Sequence, residues 1–310
     1  MSIAADHETV LLEEAVDVLM VNDHGIYIDG TYGRGGHAAL LVDRLSPEGR
    51  VLAIDKDPEA IEDARQRWAD EPRFEIEQGS FAEMAEFADR RHWLGRVQGV
   101  LLDLGVSSPQ LDNAERGFSF LKSGRLDMRM NPNEGQSATQ WLATATEREI
   151  ADVLYEYGDE RYSRRIARAI IRAREQVAIE DTLHLAEIIA DAVPRHEKGK
   201  HPATRSFQAI RIFINKELDD LQKGLEAAVT VLASGGRLAV ISFHSLEDRI
   251  VKRFMRRETQ GEPVPRRLPV TGEAAAGRLR LVGKAVRPSD REVAANPRAR
   301  SAIMRVAERL

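Results

Sequence analysis

Apolar residues in the first third of the chain fall into short runs, and the clearest of these end on an acid. Ile26-Tyr27-Ile28 stops at Asp29, and Val51 to Ile54 stops at Asp55; Phe74 to Glu77 and Val97 to Leu104 are further runs of the same length class. Runs of about four to eight residues rich in Val, Ile and Leu are the pattern of buried strands. Helix-like segments separate them. One covers His37 to Leu45, and the next opens at Asp57-Pro58, an acid at the N-cap followed by Pro at the first helical position. Strands that alternate with helices predict a parallel α/β sheet.

The alternation stops after Leu104. Residues 110–135 are rich in Gly, Asn, Pro and Ser and read as loop. Thr146 and Glu149 form a capping box before Ile150, Val153, Leu154 and Tyr157, with Gly158 placed as the C-cap. Amphipathic helices are predicted over 160–175 and 182–193. A long helix follows over 206–233, with Leu218, Leu221, Leu225, Val229 and Leu232 on one stripe. Ser234-Gly235-Gly236 ends it, and Arg237 to Phe243 restores the strand pattern, followed by a cap at Ser245 for the next helix. Residues 259–300 are Pro-, Gly- and Arg-rich, and 301–308 is expected as a last edge strand. The gap between the fourth and fifth strands far exceeds the few dozen residues of a simple crossover. The expectation is therefore a sheet domain in two parts, 1–110 and 211–310, interrupted by a helical domain over 111–210.

Composition narrows the chemistry. The 310 residues include no cysteine, which excludes disulfides, Cys-ligated metals and a thiolate nucleophile. No metal site is expected. The first residues carry no basic or apolar export signal, and no apolar run approaches the ~20 residues of a membrane helix, so a cytoplasmic protein without membrane contact is expected. The net charge of −5 hides a polarised chain. Residues 1–159 carry 15 Lys and Arg against 31 Asp and Glu, whereas 160–216 carry 12 against 7 and 237–310 carry 17 against 8. Such asymmetry suits a basic face for a polyanion, and equally suits Arg-rich solvated helices.

Gly30-Thr31-Tyr32-Gly33-Arg34-Gly35-Gly36 joins the first strand to its helix, a turn in which no Cβ obstructs a ligand. Asp55 ends the next strand, where a carboxylate can accept bonds from ribose hydroxyls. Gly33 to Ala38 formally fits a dinucleotide fingerprint, so an NAD(P) oxidoreductase is a rival reading. Asp29 argues against it, because a carboxylate before the turn repels a pyrophosphate and suits the ammonium of S-adenosylmethionine.

Several longer motifs carry a specific resemblance: DGTYGRGGH at 29–37, ERGFSF at 115–120, LDMRM at 126–130, HPATRSFQAIRIFIN at 201–215 and ISFHSLEDRIVKRFM at 241–255. Over residues 7–309 the chain resembles the RsmH (MraW) family, bacterial methyltransferases that act on N4 of a cytosine in 16S ribosomal RNA near the decoding centre. The resemblance implies a class I methyltransferase fold, Rossmann-like and mostly parallel, with an inserted helical domain. It also implies S-adenosylmethionine contacts at Gly35, Gly36, His37, Asp55, Phe81, Asp103 and Gln110. The 16S RNA or small ribosomal subunit is the implied partner, and a homodimer is left open.

Amine methyltransferases often carry an Asp/Asn-Pro-Pro-aromatic tetrapeptide after the fourth strand. Here Asp103 and then Ser107-Ser108-Pro109-Gln110 stand there, so the acceptor of the amine protons is sought among Asp103, Ser107, Ser108 and Pro109. Direct transfer to an amine needs an acceptor and in-line positioning, whereas C5 methylation of cytosine normally needs the thiolate this chain lacks. For RNA, the candidates are Arg205 and Phe207 at the start of the long helix and Lys252, Arg253 and Arg256 on one basic helix face. A non-catalytic RNA-binding protein on the same fold is the second rival.

Overall fold

The computed structural model describes residues 9–195, 199, 201–261 and 277–310. The chain forms two compact units, one from Met1–Gly105 with Leu218–Leu310 and one from Val106–Glu217.

The first unit begins with α1 (Leu12–Leu19), β1 (Ile26–Asp29), α2 (Gly36–Arg44), β2 (Arg50–Asp55), α3 (Pro58–Arg67), β3 (Phe74–Gln78), α4 (Met84–Asp89) and β4 (Val97–Asp103). The second unit holds α5 (Ser108–Asp112), α6 (Ala138–Thr144), α7 (Glu147–Gly158), α8 (Ser163–Arg174), α9 (Thr182–Ala192) and α10 (Thr204–Asn215). The chain then continues through α11 (Glu217–Val231), β5 (Leu232–Ser242), α12 (Ser245–Gln260), β6 (Leu279–Leu281), α13 (Asp290–Ala295) and β7 (Ile303–Arg309).

The seven strands lie in the order β3-β2-β1-β4-β5-β7-β6. The first five run parallel, and β7 is antiparallel to both β5 and β6. This is the doubly wound, mostly parallel sheet expected. Both faces of it are covered, which is why its strands read as continuous apolar runs. Ile28, Leu52, Val100, Leu102 and Val240 pack with residues of α11 and α12 on one side. Tyr27, Val51 and Ala53 face α2 and α3 on the other.

Several local expectations need correction. Strand β7 is not at the edge: it is inserted between β5 and β6. The helix expected over 206–233 is two helices, broken where Lys216 takes a left-handed conformation with φ 53. Helix α7 does open with the Thr146–Glu149 box, but its left-handed cap is Asp159, one residue past Gly158. Gly158 is instead required for packing within the second unit, since a Cβ there would lie 2.7 Å from the Arg205 carbonyl oxygen. Helix α12 is capped by the His244 side chain and not by Ser245. Much of the Pro-, Gly- and Arg-rich stretch, residues 262–276, lies outside the described residues.

The second unit has its own core, built from residues such as Leu142, Ile150, Leu154, Ile166, Ile170, Leu185 and Ile210. Two of the motifs behind the resemblance brace each other there. Gly117 comes so close to the 125–128 backbone that a Cβ would sit 2.5 Å from the Asp127 nitrogen. Asn215 then clamps the same segment: its Nδ2 donates to the Met128 carbonyl at 2.7 Å and its Oδ1 accepts from the Met130 N–H at 2.7 Å. No helix among the described residues is long and apolar enough to cross a membrane.

Candidate active site

Strand register assembles the site. Asp29 pairs with Ala53 on β2 and with Leu101 on β4. Asp55 and Asp103 stand two residues beyond those partners, so the three side chains project from one face and β2 and β4 overhang the shorter β1. The winding of the sheet reverses between β1 and β4. The crevice beyond the strand ends at such a point is where doubly wound sheets take ligands.

Each carboxylate has a distinct local role. Asp29 is buried, and its Oδ1 accepts from the Thr31 N–H at 3.1 Å. Asp55 accepts from the Gly33 N–H at 2.7 Å and from the Asp57 N–H at 2.8 Å, which ties the glycine turn to the tip of β2. The Asp103 N–H donates to Thr31 Oγ1 at 2.7 Å, whereas its Oδ1 is buried without a hydrogen-bond partner among the described residues.

Burial pushes the Asp29 carboxyl up to about 7, with the charge of Asp55 adding to the shift. Burial likewise pushes Asp55 up to about 6. Asp103 is held well above the usual carboxylate range, first by burial and then by the charges of Asp29 and Glu247. His37 gives no relief. Burial drives its imidazole down to about 4, so it is neutral at pH 7, and its Nδ1 lies 3.8 Å from Asp103 Oδ2, beyond hydrogen-bond reach. No side-chain cation among the described residues pairs with Asp29, Asp55 or Asp103. A site of this kind favours a ligand that brings positive charge.

The glycine turn is shaped by close approach. Gly35 has φ +67 and would place a Cβ 2.5 Å from the Tyr32 ring; a Cβ on Gly36 would lie 1.9 Å from Thr9 Oγ1. These two residues open α2, whose first backbone N–H groups have no intrahelical acceptor.

Phe81 follows β3 on a short 3₁₀ turn capped by Ser80. Its ring lies against α11, where a Cβ on Gly224 would come within 2.4 Å of it. One turn earlier on α11, Asp220 accepts from Ser80 Oγ at 2.7 Å and pairs with Lys56, the residue after Asp55. Asp220 and Gly224 thus share a helix face and fix the segments on either side of the site. Sequence reasoning missed both. The available signal was a glycine in the interior of an otherwise favourable helix, where it is costly unless something must approach closely.

The match to known proteins decides the lineage. A family model described as the MraW methylase family matches residues 4–310. The chain belongs to the MraW methylase family. Curated relatives named "Ribosomal RNA small subunit methyltransferase H" agree with it over nearly their whole length. The protein from Thioalkalivibrio sulfidiphilus (strain HL-EbGR7) is 58% identical over 308 residues, 99% of this chain and 98% of that one. That from Marinomonas sp. (strain MWYL1) is 56% identical over 306 residues, 99% and 98% of the two chains.

As a MraW methylase, the protein takes its methyl group from S-adenosylmethionine. The first unit fits that cofactor. Sulfonium and ammonium groups match an acid-rich crevice that would repel a pyrophosphate, and the unpaired Asp103 oxygen is an acceptor awaiting a donor. Asp55 also anchors the glycine turn, through the Gly33 N–H.

The remaining expected residues separate. In the second unit Ser107 caps α5 and Ser108, Pro109 and Gln110 open it; Gln110 Oε1 accepts from the Ser107 N–H at 3.0 Å and so serves the helix cap. Phe207 is only 4% exposed and meets Phe120 edge-on at 4.8 Å, which makes it core and removes it as a platform for a base. Arg205 donates to the Asp159 carbonyl at 3.2 Å. Lys252, Arg253 and Arg256 are exposed on α12, opposite buried Val251, Phe254 and Met255.

Proposed function

We propose that this methylase acts on N4 of one cytosine in 16S ribosomal RNA, near the decoding centre, as a cytoplasmic enzyme. The observation that carries the reading is the convergence of Asp29, Asp55 and Asp103 on one face at the switch of the sheet, with one Asp103 oxygen unpaired. The names carried by relatives more than half identical support ribosomal RNA of the small subunit as the substrate.

When bound, S-adenosylmethionine supplies a methyl group already activated by its positive sulfur. Asp29 and Asp103 balance that charge, Asp55 takes the ribose hydroxyls with its remaining lone pairs, and the backbone of Gly35, Gly36 and His37 borders the cofactor. Phe81 offers its ring to the adenine. Cytosine N4 is a poor nucleophile because its lone pair is delocalised into the ring. An acceptor for its protons favours the tetrahedral nitrogen that attacks, and Asp103 is the acceptor we assign. The family resemblance adds Gln110 to the cofactor residues and Ser107, Ser108 and Pro109 to the acceptor region. The helical unit and the basic face of α12 serve the RNA, Arg205 included and Phe207 excluded.

Nucleoside mass spectrometry of 16S RNA from cells with and without the gene tests the reading. Loss of N4-methylcytidine at a single mapped position is expected; an unchanged profile refutes it. The Phe81 assignment has its own test. Gly224→Ala places a methyl where the Phe81 ring now sits, while alanine improves α11 by about 1 kcal/mol. Cofactor affinity is expected to fall about tenfold, the worth of one stacking contact. Calorimetry should show this with Tm within a few degrees of the parent, because the helix gain and the cost of displacing the ring oppose each other.

A further inference from the structure

Helices α7 and α8 of the second unit enclose a cleft of about 520 Å³ whose walls are strongly basic. Arg161, Arg164, Arg165 and Arg168 line it together with Tyr155 and Tyr162. Its one lining acid, Asp152, is already within 3.5 Å of Arg148, outside the cleft. Arg168 has Glu147 at 3.3 Å, with both side chains largely in water. Arg161, Arg164 and Arg165 are exposed and have no carboxylate partner among the described residues. Tyr155 is 65% exposed, an unusual degree for a large aromatic on a helix whose other face is core.

Like charges gathered around a concavity repel one another until an anion enters. Arg164, Arg165 and Arg168 lie on α8 and Arg161 on the turn just before it, so guanidinium groups from two segments border one cleft. Four such charges exceed what a single phosphate needs and suit successive phosphates of one nucleic-acid strand. Guanidinium groups suit phosphate oxygens, and an exposed tyrosine beside them supplies a face for an unstacked base.

We infer that this cleft is a docking site for the sugar-phosphate backbone of the RNA substrate, with one base laid on Tyr155. The inference rests on the reading that the substrate is RNA and adds a place on the second unit that grips its backbone.

Fluorescence anisotropy with a 16S-derived RNA, together with methyl transfer to small subunits, tests it on the full-length protein. Arg161→Ala/Arg164→Ala/Arg165→Ala is expected to raise the Kd and the KM for RNA at least tenfold, with KM for S-adenosylmethionine within twofold of the parent. The slope of log K against log[salt] should become shallower by about 2 to 3. Tyr155→Ala should weaken binding without changing that slope, and Tyr155→Phe should restore it. Arg65→Ala, an exposed charge on α3 of the first unit, is the control and should change neither. Replacing the three arginines by lysine keeps the charge and the fold, and should recover most of the salt slope. A triple alanine variant with parental RNA affinity and salt slope overturns the site. If the parent binds RNA but transfers no methyl group, the proposed function fails while anisotropy still judges the cleft; if the parent binds no RNA, both fail.

Discussion

Asp103→Asn is expected to yield a protein that melts higher than its parent at neutral pH and has lost at least a hundredfold in kcat. The two effects share one cause. In the folded protein this carboxyl is buried at the end of β4, faces the charges of Asp29 and Glu247, and leaves one oxygen unpaired. A neutral isostere removes the like-charge repulsion with Asp29 and Glu247. A gain of about 1 to 2 kcal/mol corresponds to roughly 2 to 6 °C in Tm for a chain of this size. The same change deletes the acceptor assigned to the cytosine amine, and loss of one well-placed electrostatic partner typically costs about two to three orders of magnitude in rate. Differential scanning calorimetry and single-turnover methyl transfer read the two effects separately. A variant that is both less stable and fully active would show that Asp103 only supports the fold.

Cofactor affinity should rise with pH over the same interval in which the unliganded protein loses stability. Asp29 and Asp55 have carboxyls raised to about 7 and about 6, so the folded state holds these protons more tightly than the unfolded chain does. Their contribution to stability is therefore complete below the unfolded value near 4 and is lost as pH climbs through 6 and 7. The opposite behaviour of paired carboxyls such as Glu71, lowered to about 2 by the Arg73 guanidinium, is finished by pH 5. His37, lowered to about 4, adds stability with rising pH only until its unfolded value near 6.5 is passed. Above that the raised carboxyls dominate, and Tm of the free protein should decline from about pH 6.5 to 8. A positively charged ligand needs both carboxylates ionised, so its binding expels their protons and tightens by about a hundredfold between pH 5.5 and 8. Calorimetry in buffers of different ionisation heat should register proton release at pH 6 and little at pH 8. Asp29→Asn should remove most of the pH dependence, and a parental protein whose Kd is flat from pH 5.5 to 8 would contradict the raised carboxyls.

The site was legible in the sequence where burial made it so. Strands covered on both faces appear as unbroken apolar runs, and the acids that stop β1, β2 and β4 mark their carboxyl ends and hence the crevice. What failed to show were features decided by tertiary approach. Lys216 breaks the helix expected over 206–233 without a Gly or Pro to announce it, and Asp159, rather than the preceding glycine, takes the left-handed cap. Phe207 sits at the start of a helix beside basic and hydroxyl residues, and only its packing against Phe120 distinguishes core from platform. Asp220 and Gly224 lie about 140 residues from the turn they hold, a separation across which periodicity carries no information.

The insertion of β7 between β5 and β6 also determines how the protein is exposed during its own synthesis. Strand β5 carries the apolar run Leu238 to Ile241, and its outer neighbour arrives only with Ile303, about sixty residues later. At roughly 5 to 20 residues per second, that edge stays open for about 3 to 12 s on every nascent chain. An unpaired apolar edge is a template for joining other chains, so soluble yield should depend on elongation speed between Ser242 and Ile303. Slow codons placed in that interval are a hazard for this enzyme, and a chaperone that covers strand edges is most useful there.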